Sequence, residues 1–198
     1  LGIATETPPA PLKSPKGERD QPLPVCPVPD SAPSAPRAHA KHGRPAKLWT
    51  YRDAQGETLF HVARFDTADG KQVLPLTLWR EGDALRWHWK GLPQPRPLYG
   101  LDRLAARPDA LVLVCEGEKD ADAAGELLPD CVAITSPNGS RSAGAADWSP
   151  LRGRRVVLWP DADQPGEHYA RDVMREARNA GAATACMIDL ETLARLRG

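Results

Sequence analysis

The chain has 198 residues, which is enough for one domain or for one domain with a small attachment. Its 26 basic and 26 acidic residues leave no formal net charge, so the charge balance gives no support for nucleic-acid binding, and any basic surface has to be local. The four cysteines are scattered without a C-x-x-C pair, which excludes a structural zinc site of ordinary spacing. No apolar run reaches the roughly 18 residues of a membrane span, and the first residues lack the pattern of a secretion signal. We therefore expect a cytoplasmic protein without a membrane partner.

Residues 1–46 are rich in proline and contain eleven of the 21 prolines of the chain. Such a composition cannot bury enough apolar surface to offset the entropy that is lost on ordering. The pattern predicts a disordered linker with polyproline-II character. His39 and His42 lie in this tract, and neither is expected to bind a metal ion.

Residues 47–100 have the pattern of a small antiparallel β subdomain. Short runs that alternate apolar and polar side chains occur at 48–51, 58–62, 73–76 and 85–89. Turn-forming residues separate these runs at 53–56, 68–70 and 81–83. Alternating strands with short turns between them are typical of a β-meander.

Residues 101–198 alternate apolar strands with helical segments. Strands are predicted at 111–115, 131–135, 156–159 and 183–188, and helices at 118–128 and 166–180. In the first helix, Ala121, Ala124, Leu127 and Leu128 are expected to lie on one side. Strands separated by helices predict an α/β fold with a mainly parallel four-stranded sheet, because crossover connections are right-handed.

Acidic side chains follow two strands of this predicted sheet. Glu116 comes directly after the first strand, and Asp161 and Asp163 come after the third. Ligands of open parallel sheets bind beyond the carboxyl ends of the strands, and three carboxylates at one rim suit Mg²⁺ or Mn²⁺. Glu118 and Asp120 have an alternative interpretation, because acidic residues also favour the positive end of a helix.

These motifs resemble the Toprim domain, which occurs in bacterial and phage primases, topoisomerases, small nucleases and recombination mediators. The elements are E-G-x-x-D from Glu116 and D-x-D-x-x-G from Asp161, and the resemblance covers roughly 108–190. It implies that Glu116 is the glutamate common to the family and that Asp161 and Asp163 bind metal. Asp120 matches an acidic position of the primase branch, and Gly166 matches the glycine that opens the last helix.

The resemblance also supplies candidates for contacts with nucleotides or nucleic acid. The β-rich segment ahead of Toprim in primases of phages and mobile elements carries an arginine and a Gly-Lys pair, for which Arg64 and Lys71 are the candidates. Solvated strand positions are an equally good interpretation of both. The loop at 136–140 resembles a glycine-bearing primase loop, although its sequence alone indicates an ordinary turn. The remaining candidates are Lys119, Asn138, Gly139 and Arg141.

The function that the resemblance implies is that of a DNA primase. A primase joins NTPs into RNA primers on single-stranded DNA with Mg²⁺ or Mn²⁺, here in the replication of a phage or mobile element. A replicative helicase, fused or separate, is the expected partner. The role of Glu116 stays open between metal ligand and general acid or base. A Toprim nuclease is an alternative that leaves the β-rich segment unexplained, and a non-catalytic DNA-binding scaffold would not need the intact carboxylates.

Overall fold

The computed structural model of the protein describes residues 21–137, 139 and 142–189. Predictions for Asn138, Arg141 and residues 1–20 and 190–198 lie outside these ranges. Among the described residues, no helix combines the length and the apolar character that crossing a bilayer requires.

The first layer is an antiparallel sheet. Within the described ranges it contains five strands: β1 (Leu23–Pro24), β2 (Lys47–Arg52), β3 (Thr58–Thr67), β4 (Gly70–Glu81) and β5 (Ala84–His88). The order is β1-β4-β3-β2, and β5 pairs with the second half of β4. Gly70 and Gly82 have positive φ angles of 107° and 57° at the two hairpin turns that enter and leave β4, a backbone conformation that glycine adopts without steric cost.

The second layer is a parallel sheet with helices on both faces. The described part of the chain contributes four strands, β6 (Leu111–Val114), β7 (Cys131–Ile134), β8 (Arg155–Leu158) and β9 (Thr184–Met187), in the order β7-β6-β8-β9. The helices are α1 (Leu101–Ala106), α2 (Glu118–Leu127) and α3 (Gln164–Asn179). The chain moves outward in opposite directions from β6 to β7 and from β8 to β9. Right-handed crossovers therefore place α2 and α3 on opposite faces.

The order of the strands determines where the parallel sheet can bind a ligand. The direction of winding reverses between the neighbouring strands β6 and β8. At such a reversal the two outgoing chain segments diverge and leave a crevice at the carboxyl edge of the sheet. Glu116 follows β6 and Asp161 follows β8, so both side chains stand at this crevice.

The predicted fold class is confirmed, with two differences. A parallel four-stranded sheet flanked by helices follows an antiparallel β subdomain, as expected. Leu127 and Leu128, which were predicted to share one side of the helix with Ala121 and Ala124, are 64% and 37% exposed. The reason is that α2 ends at Leu127, and its buried stripe stops at Ala124.

The second difference concerns the proline-rich segment. The prediction of a disordered linker is wrong for residues 21–46. β1 pairs with β4, and the Val28 amide donates to the Thr58 carbonyl at 2.7 Å. The indole Nε1 of Trp87 donates to the Pro33 carbonyl at 2.7 Å. Composition was misleading because the sheet supplies hydrogen-bonding partners and aromatic surface that the segment lacks by itself.

The docking of this segment can be tested at Phe65, whose side chain is only 1% exposed and contacts the rings of His39, His42 and Trp89. We expect Phe65→Ala to lower the free energy of unfolding by about 3–5 kcal/mol, because it opens a cavity under a packed aromatic cluster. Val73→Ala, at an exposed position of the neighbouring strand, is the control. Urea unfolding measures both, and equally small losses would mean that the segment is detached from the sheet.

Candidate active site

A cleft of about 530 Å³ lies between the antiparallel sheet and the carboxyl edge of the parallel sheet. Its walls are formed by Trp49, Arg64, Lys71, Val73, Glu116, Gly117, Glu118, Lys119, Asp120, Gly139 and Asp161. Acidic residues from the strand ends stand on one side, and basic residues from β3 and β4 stand on the other. This opposition of charges is the main chemical feature of the cleft.

Glu116 is half-buried at the point where β6 gives way to α2. The preceding residue continues the sheet, since the Cys115 amide donates to the Ile134 carbonyl at 3.0 Å. Gly117 then takes an extended conformation and caps α2. A Cβ at Gly117 would lie 3.4 Å from Oδ2 of Asp120, so the absence of a side chain leaves room for that carboxylate. The strand and the cap together hold Glu116 at the mouth of the crevice.

The carboxylates of the cleft interact electrostatically. Partial burial raises the pKa of Asp161, and the charges of Asp120 and Asp163 raise it further. Lys71, which lines the same cleft, acts in the opposite direction and lowers the pKa of Asp161. Burial, with help from Asp120 and Asp161, raises the pKa of the Cys115 thiol to about 12. The region therefore disfavours additional negative charge and favours a cation.

Asp163 has a structural role at the start of α3. Its Oδ1 accepts a hydrogen bond from the Gly166 amide at 2.8 Å, which makes it the N-cap of the helix. Within the described residues, no three His, Cys, Asp or Glu side chains already stand together in a group that could hold a metal ion. The hard-oxygen donors suit Mg²⁺ or Mn²⁺ in chemistry, and their mutual repulsion would be relieved by a cation. They are near one another without forming a preassembled ion site.

The basic wall comes from the antiparallel sheet. Arg64 lies opposite Val73 in the β3–β4 register, and its Nε donates to Oδ1 of Asp66 at 2.8 Å. Lys71 enters the cleft from the start of β4, and Lys119 from the first turn of α2. Gly139, with a φ of +63°, lines the cleft from the loop after β7.

The predicted site residues are thus brought together only in part. Those on the cleft wall are Glu116, Asp120, Asp161, Arg64, Lys71, Lys119 and Gly139. Asp163 lies beside the cleft as a helix cap, while Asn138 and Arg141 lie outside the described residues. For all of these predicted site residues, the roles as catalytic, metal-binding or nucleotide-binding groups stay predictions.

Sequence reasoning missed a set of contacts that closes the back of the cleft. The hydroxyl of Tyr51, which is fully buried, donates to Oε1 of Glu118 at 2.8 Å. Nε1 of Trp49 and the hydroxyl of Tyr99 donate to the two carboxylate oxygens of Asp122, at 2.9 and 2.8 Å. The bonds from Trp49 and Tyr51 attach α2 to β2 of the antiparallel sheet, and the bond from Tyr99 attaches it to the segment ahead of α1.

The sequence contained part of the signal for these contacts, since it places each pair of side chains on one face but does not show that the two faces meet. Trp49 and Tyr51 are two apart on a strand and share a face. Glu118 and Asp122 are four apart on a helix and also share a face. The alternative interpretation of Glu118 was that it only favours the positive end of the helix. Its side chain is instead 7% exposed and accepts a buried hydrogen bond.

Solved structures of primases have a similar fold. A DNA primase domain from Pseudomonas aeruginosa matches with a TM-score of 0.51 at 18% identity, over 81% of this chain and 52% of that chain. The primase fragment of the bacteriophage T7 primase-helicase protein matches with a TM-score of 0.47 at 15% identity, over 72% and 52% of the two chains. The DnaG catalytic core matches with a TM-score of 0.46 at 20% identity, over 76% and 48%.

Neither protein-family models nor curated protein sequences match the chain. The chain spans about half the length of the three primase structures. At these identities the likeness concerns the fold. The match to the Pseudomonas aeruginosa domain confirms the primase-type fold that the resemblance to Toprim predicted, and the chemistry of the cleft has to be inferred from its residues.

The placement of Asp161 depends on Gly166, and this dependence can be tested. A Cβ at Gly166 would lie 2.7 Å from the Asp161 carbonyl oxygen and 2.9 Å from its amide nitrogen. We expect Gly166→Ala to cost about 1–3 kcal/mol of stability, because backbone atoms have to move. Gly144→Ala is the matched control, since a Cβ there meets nothing within 4 Å. Equal free energies of unfolding for the two variants in urea would contradict the close packing.

The attachment of α2 can be tested with a double-mutant cycle. Tyr51→Phe removes the donor to a buried carboxylate, and we expect a loss of about 1–3 kcal/mol in the free energy of unfolding. Combined with Glu118→Gln, the cycle should give a coupling energy of at least about 0.5 kcal/mol. Thr67→Val is the control, because the Thr67 hydroxyl bonds the Gly70 carbonyl at an exposed hairpin. Additive effects of the two substitutions at positions 51 and 118 would refute the attachment.

Proposed function

We propose that the protein is a DNA primase-type nucleotidyltransferase, which joins ribonucleotides on a single-stranded DNA template. The observation that carries the proposal is the cleft, where strand-end carboxylates face Arg64 and Lys71 across a space of about 530 Å³. A nucleoside triphosphate carries both the negative charge that the basic wall would bind and the phosphoryl group whose transfer needs a cation. The primase-type fold supports this assignment.

The basic wall would bind the phosphates. Arg64 and Lys71 come from adjacent strands, so the sheet holds them at a set separation. Arg64 is also fixed through Asp66, which limits the directions in which its guanidinium can point. Lys119 approaches from the other side, at the N-terminal turn of α2. Together these side chains would orient the triphosphate, or the template backbone, by contacts that do not depend on base identity.

The acidic wall would hold Mg²⁺ or Mn²⁺. Asp161 and Glu116 are the proposed ligands, with Asp120 and Asp163 close enough to Asp161 to change its pKa. When bound, such a cation neutralises charge that develops on the transferred phosphoryl group. The cluster's own repulsion supports the assignment, since it favours cation uptake.

The reaction forms one bond and breaks one. The 3′-hydroxyl oxygen of the growing strand bonds to the α-phosphorus of the incoming nucleotide, and the bond to the β-phosphate oxygen breaks, which releases pyrophosphate. The hydroxyl proton leaves to a base. Glu116 is half-buried beside the proposed ligands, and its position is consistent with two roles, metal ligand or acceptor of this proton.

The wider setting of the proposal comes from the resemblance alone. It comprises replication of a phage or mobile element and a replicative helicase, either fused in a longer protein or separate. Each part can be tested only after primer synthesis itself has been measured.

Primer synthesis is the direct test. The protein is incubated with single-stranded DNA, labelled NTPs and Mg²⁺ or Mn²⁺, with and without a supplied RNA primer. We expect short RNA products from the wild type and losses of roughly a hundredfold or more with Asp161→Asn or Glu116→Gln, because each removes a carboxylate that would hold the cation. Asp172→Asn, at a carboxylate of α3 that pairs with Arg175, should leave the rate unchanged.

The other outcomes identify the alternatives. Metal-dependent cleavage of the template without synthesis would replace the proposal by a nuclease. DNA binding without either reaction, and with the same affinity in the two cleft variants, would indicate a non-catalytic scaffold.

A further inference from the structure

Residues 37–47, here called the basic loop, carry a local excess of positive charge. The four basic side chains Arg37, Lys41, Arg44 and Lys47 are all exposed. No Asp or Glu occurs in the sequence between Asp30 and Asp53. In a chain with no formal net charge, such a segment is the kind of local basic surface that composition alone does not reveal.

The basic loop is held in shape by its own hydrogen bonds. The amides of His39 and Gly43 each donate to the carbonyl of the other, at 2.8 and 2.9 Å. Nδ1 of His39 accepts from the amides of Lys41 and His42, at 3.1 and 3.2 Å. The rings of His39 and His42 stack on each other and pack against Phe65. The imidazoles face the sheet, and the cations therefore remain outside on an ordered support.

Three cations of the basic loop, Arg37, Lys41 and Arg44, have no acidic partner among the described residues. In the described part of the chain, no carboxylate lies within 4.0 Å of the charged groups of Arg37, Lys41 or Arg44. The arginines of α3 differ, because Arg171 and Arg175 pair with acidic neighbours on their own helix. The basic loop thus presents charge that an external anion can neutralise.

The basic loop is continuous with the cleft. The Ala46 amide donates to the Arg64 carbonyl at 2.8 Å, and Lys47 lies opposite Arg64 in the β2–β3 register. A second groove of about 350 Å³, the outer groove, shares Trp49, Arg64 and Lys119 with the cleft and extends to Lys47.

Charge along the outer groove is nearly balanced. Its three basic residues, Lys47, Arg64 and Lys119, are matched by three acidic ones, Asp66, Asp122 and Glu126. The surplus of positive charge lies beyond the outer groove, on the basic loop. A polyanion that leaves the cleft along this path would then reach the three cations Arg37, Lys41 and Arg44 of the basic loop.

We propose that the basic loop is a second nucleic-acid contact, which binds the phosphate backbone of single-stranded DNA outside the cleft. The inference rests on the proposed function, since that function supplies the strand. A chain of phosphates fits better than a single anion, because the cations are spread along a loop instead of converging on one point. Binding of this kind is independent of sequence and depends on salt.

The test is the affinity for a fluorescent 30-nucleotide oligo(dT), measured by anisotropy between about 50 and 200 mM NaCl. The variant is Arg37→Ala/Lys41→Ala/Arg44→Ala. Each lost phosphate contact on a single strand reduces the slope of log K against log salt by about 0.7, so the slope should fall by up to about 2. Near 0.1 M salt this corresponds to roughly tenfold to a hundredfold weaker binding.

A matched control removes the same charge elsewhere. Arg171→Ala/Arg175→Ala/Arg178→Ala, on α3, should bind the oligonucleotide like the wild type. Thermal unfolding of both triple variants checks that the exposed substitutions leave the fold intact. A folded loop variant with wild-type affinity and salt slope would overturn the inference. Equal losses in the loop variant and the α3 variant would also overturn it, since the effect would then reflect only total charge.

Two further arms separate the inference from its alternatives. Vesicles containing phosphatidylserine test a membrane surface: a loss of vesicle binding without a loss of DNA binding in the loop variant would refute the proposal. Primer synthesis, assayed in parallel, separates the two levels of inference. If DNA binding depends on the loop but no RNA is synthesised, the DNA contact at the basic loop is supported and the primase proposal is rejected. If RNA is synthesised but DNA binding does not depend on the loop, the primase proposal is supported and the DNA contact at the basic loop is rejected.

Discussion

The hydrogen bonds between α2 and the antiparallel sheet are the constraint on which the rest of the structure depends. Tyr51 and Trp49 of β2 donate to Glu118 and Asp122, and Tyr99, in the segment ahead of α1, also donates to Asp122. The carboxylate of Glu118, which is 7% exposed, requires such a partner, because an unpaired charge in a dry environment is costly. These bonds hold the two sheets at the distance that leaves a cleft, and they orient the helix that begins immediately after Glu116 and Gly117.

The parallel sheet then decides which side chains face that cleft. Because winding reverses between β6 and β8, the segments that leave these strands diverge and expose their first residues at one edge. The antiparallel sheet contributes the opposite charge from Arg64 and Lys71. The site therefore belongs to neither layer alone, and its acidic and basic halves come from regions far apart in the sequence. A phosphate-bearing substrate with a divalent cation is the chemistry that such a pairing suits best.

Although the chain has no formal net charge, its acidic and basic residues are distributed unevenly. Acidic residues gather around the strand ends of the parallel sheet, while the acid-free segment between Asp30 and Asp53 carries exposed arginine and lysine side chains. Local fields fall off within about 10 Å at 0.1 M salt. What a ligand meets is therefore set by the nearest surface, and the charge of the whole chain has little bearing on it.

The sequence by itself determined the elements of the fold and the acidic half of the site. Hydrophobic periodicity is a local property. β3 and β4 extend up to five residues beyond the runs that it predicted, but it located the four strands of the parallel sheet, α2 and α3 to within about two residues. It also placed Glu116 and Asp161 at strand ends, from which their shared edge follows. The capping role of Asp163 was readable in principle, because it precedes Pro165 and Gly166 at a helix start.

Only the tertiary structure decided which distant residues meet. Trp49, Tyr51 and Glu118 have no local signal that pairs them, since a hydrogen bond across more than 60 residues depends on how the layers pack. The order of residues 21–46 has the same origin. A proline-rich segment cannot fold on its own apolar surface, but β4 and the aromatic rings of the sheet provide the partners that it lacks. The composition of a segment shows how much apolar surface it can bury by itself. Only the tertiary structure shows which surface of the rest of the protein it packs against.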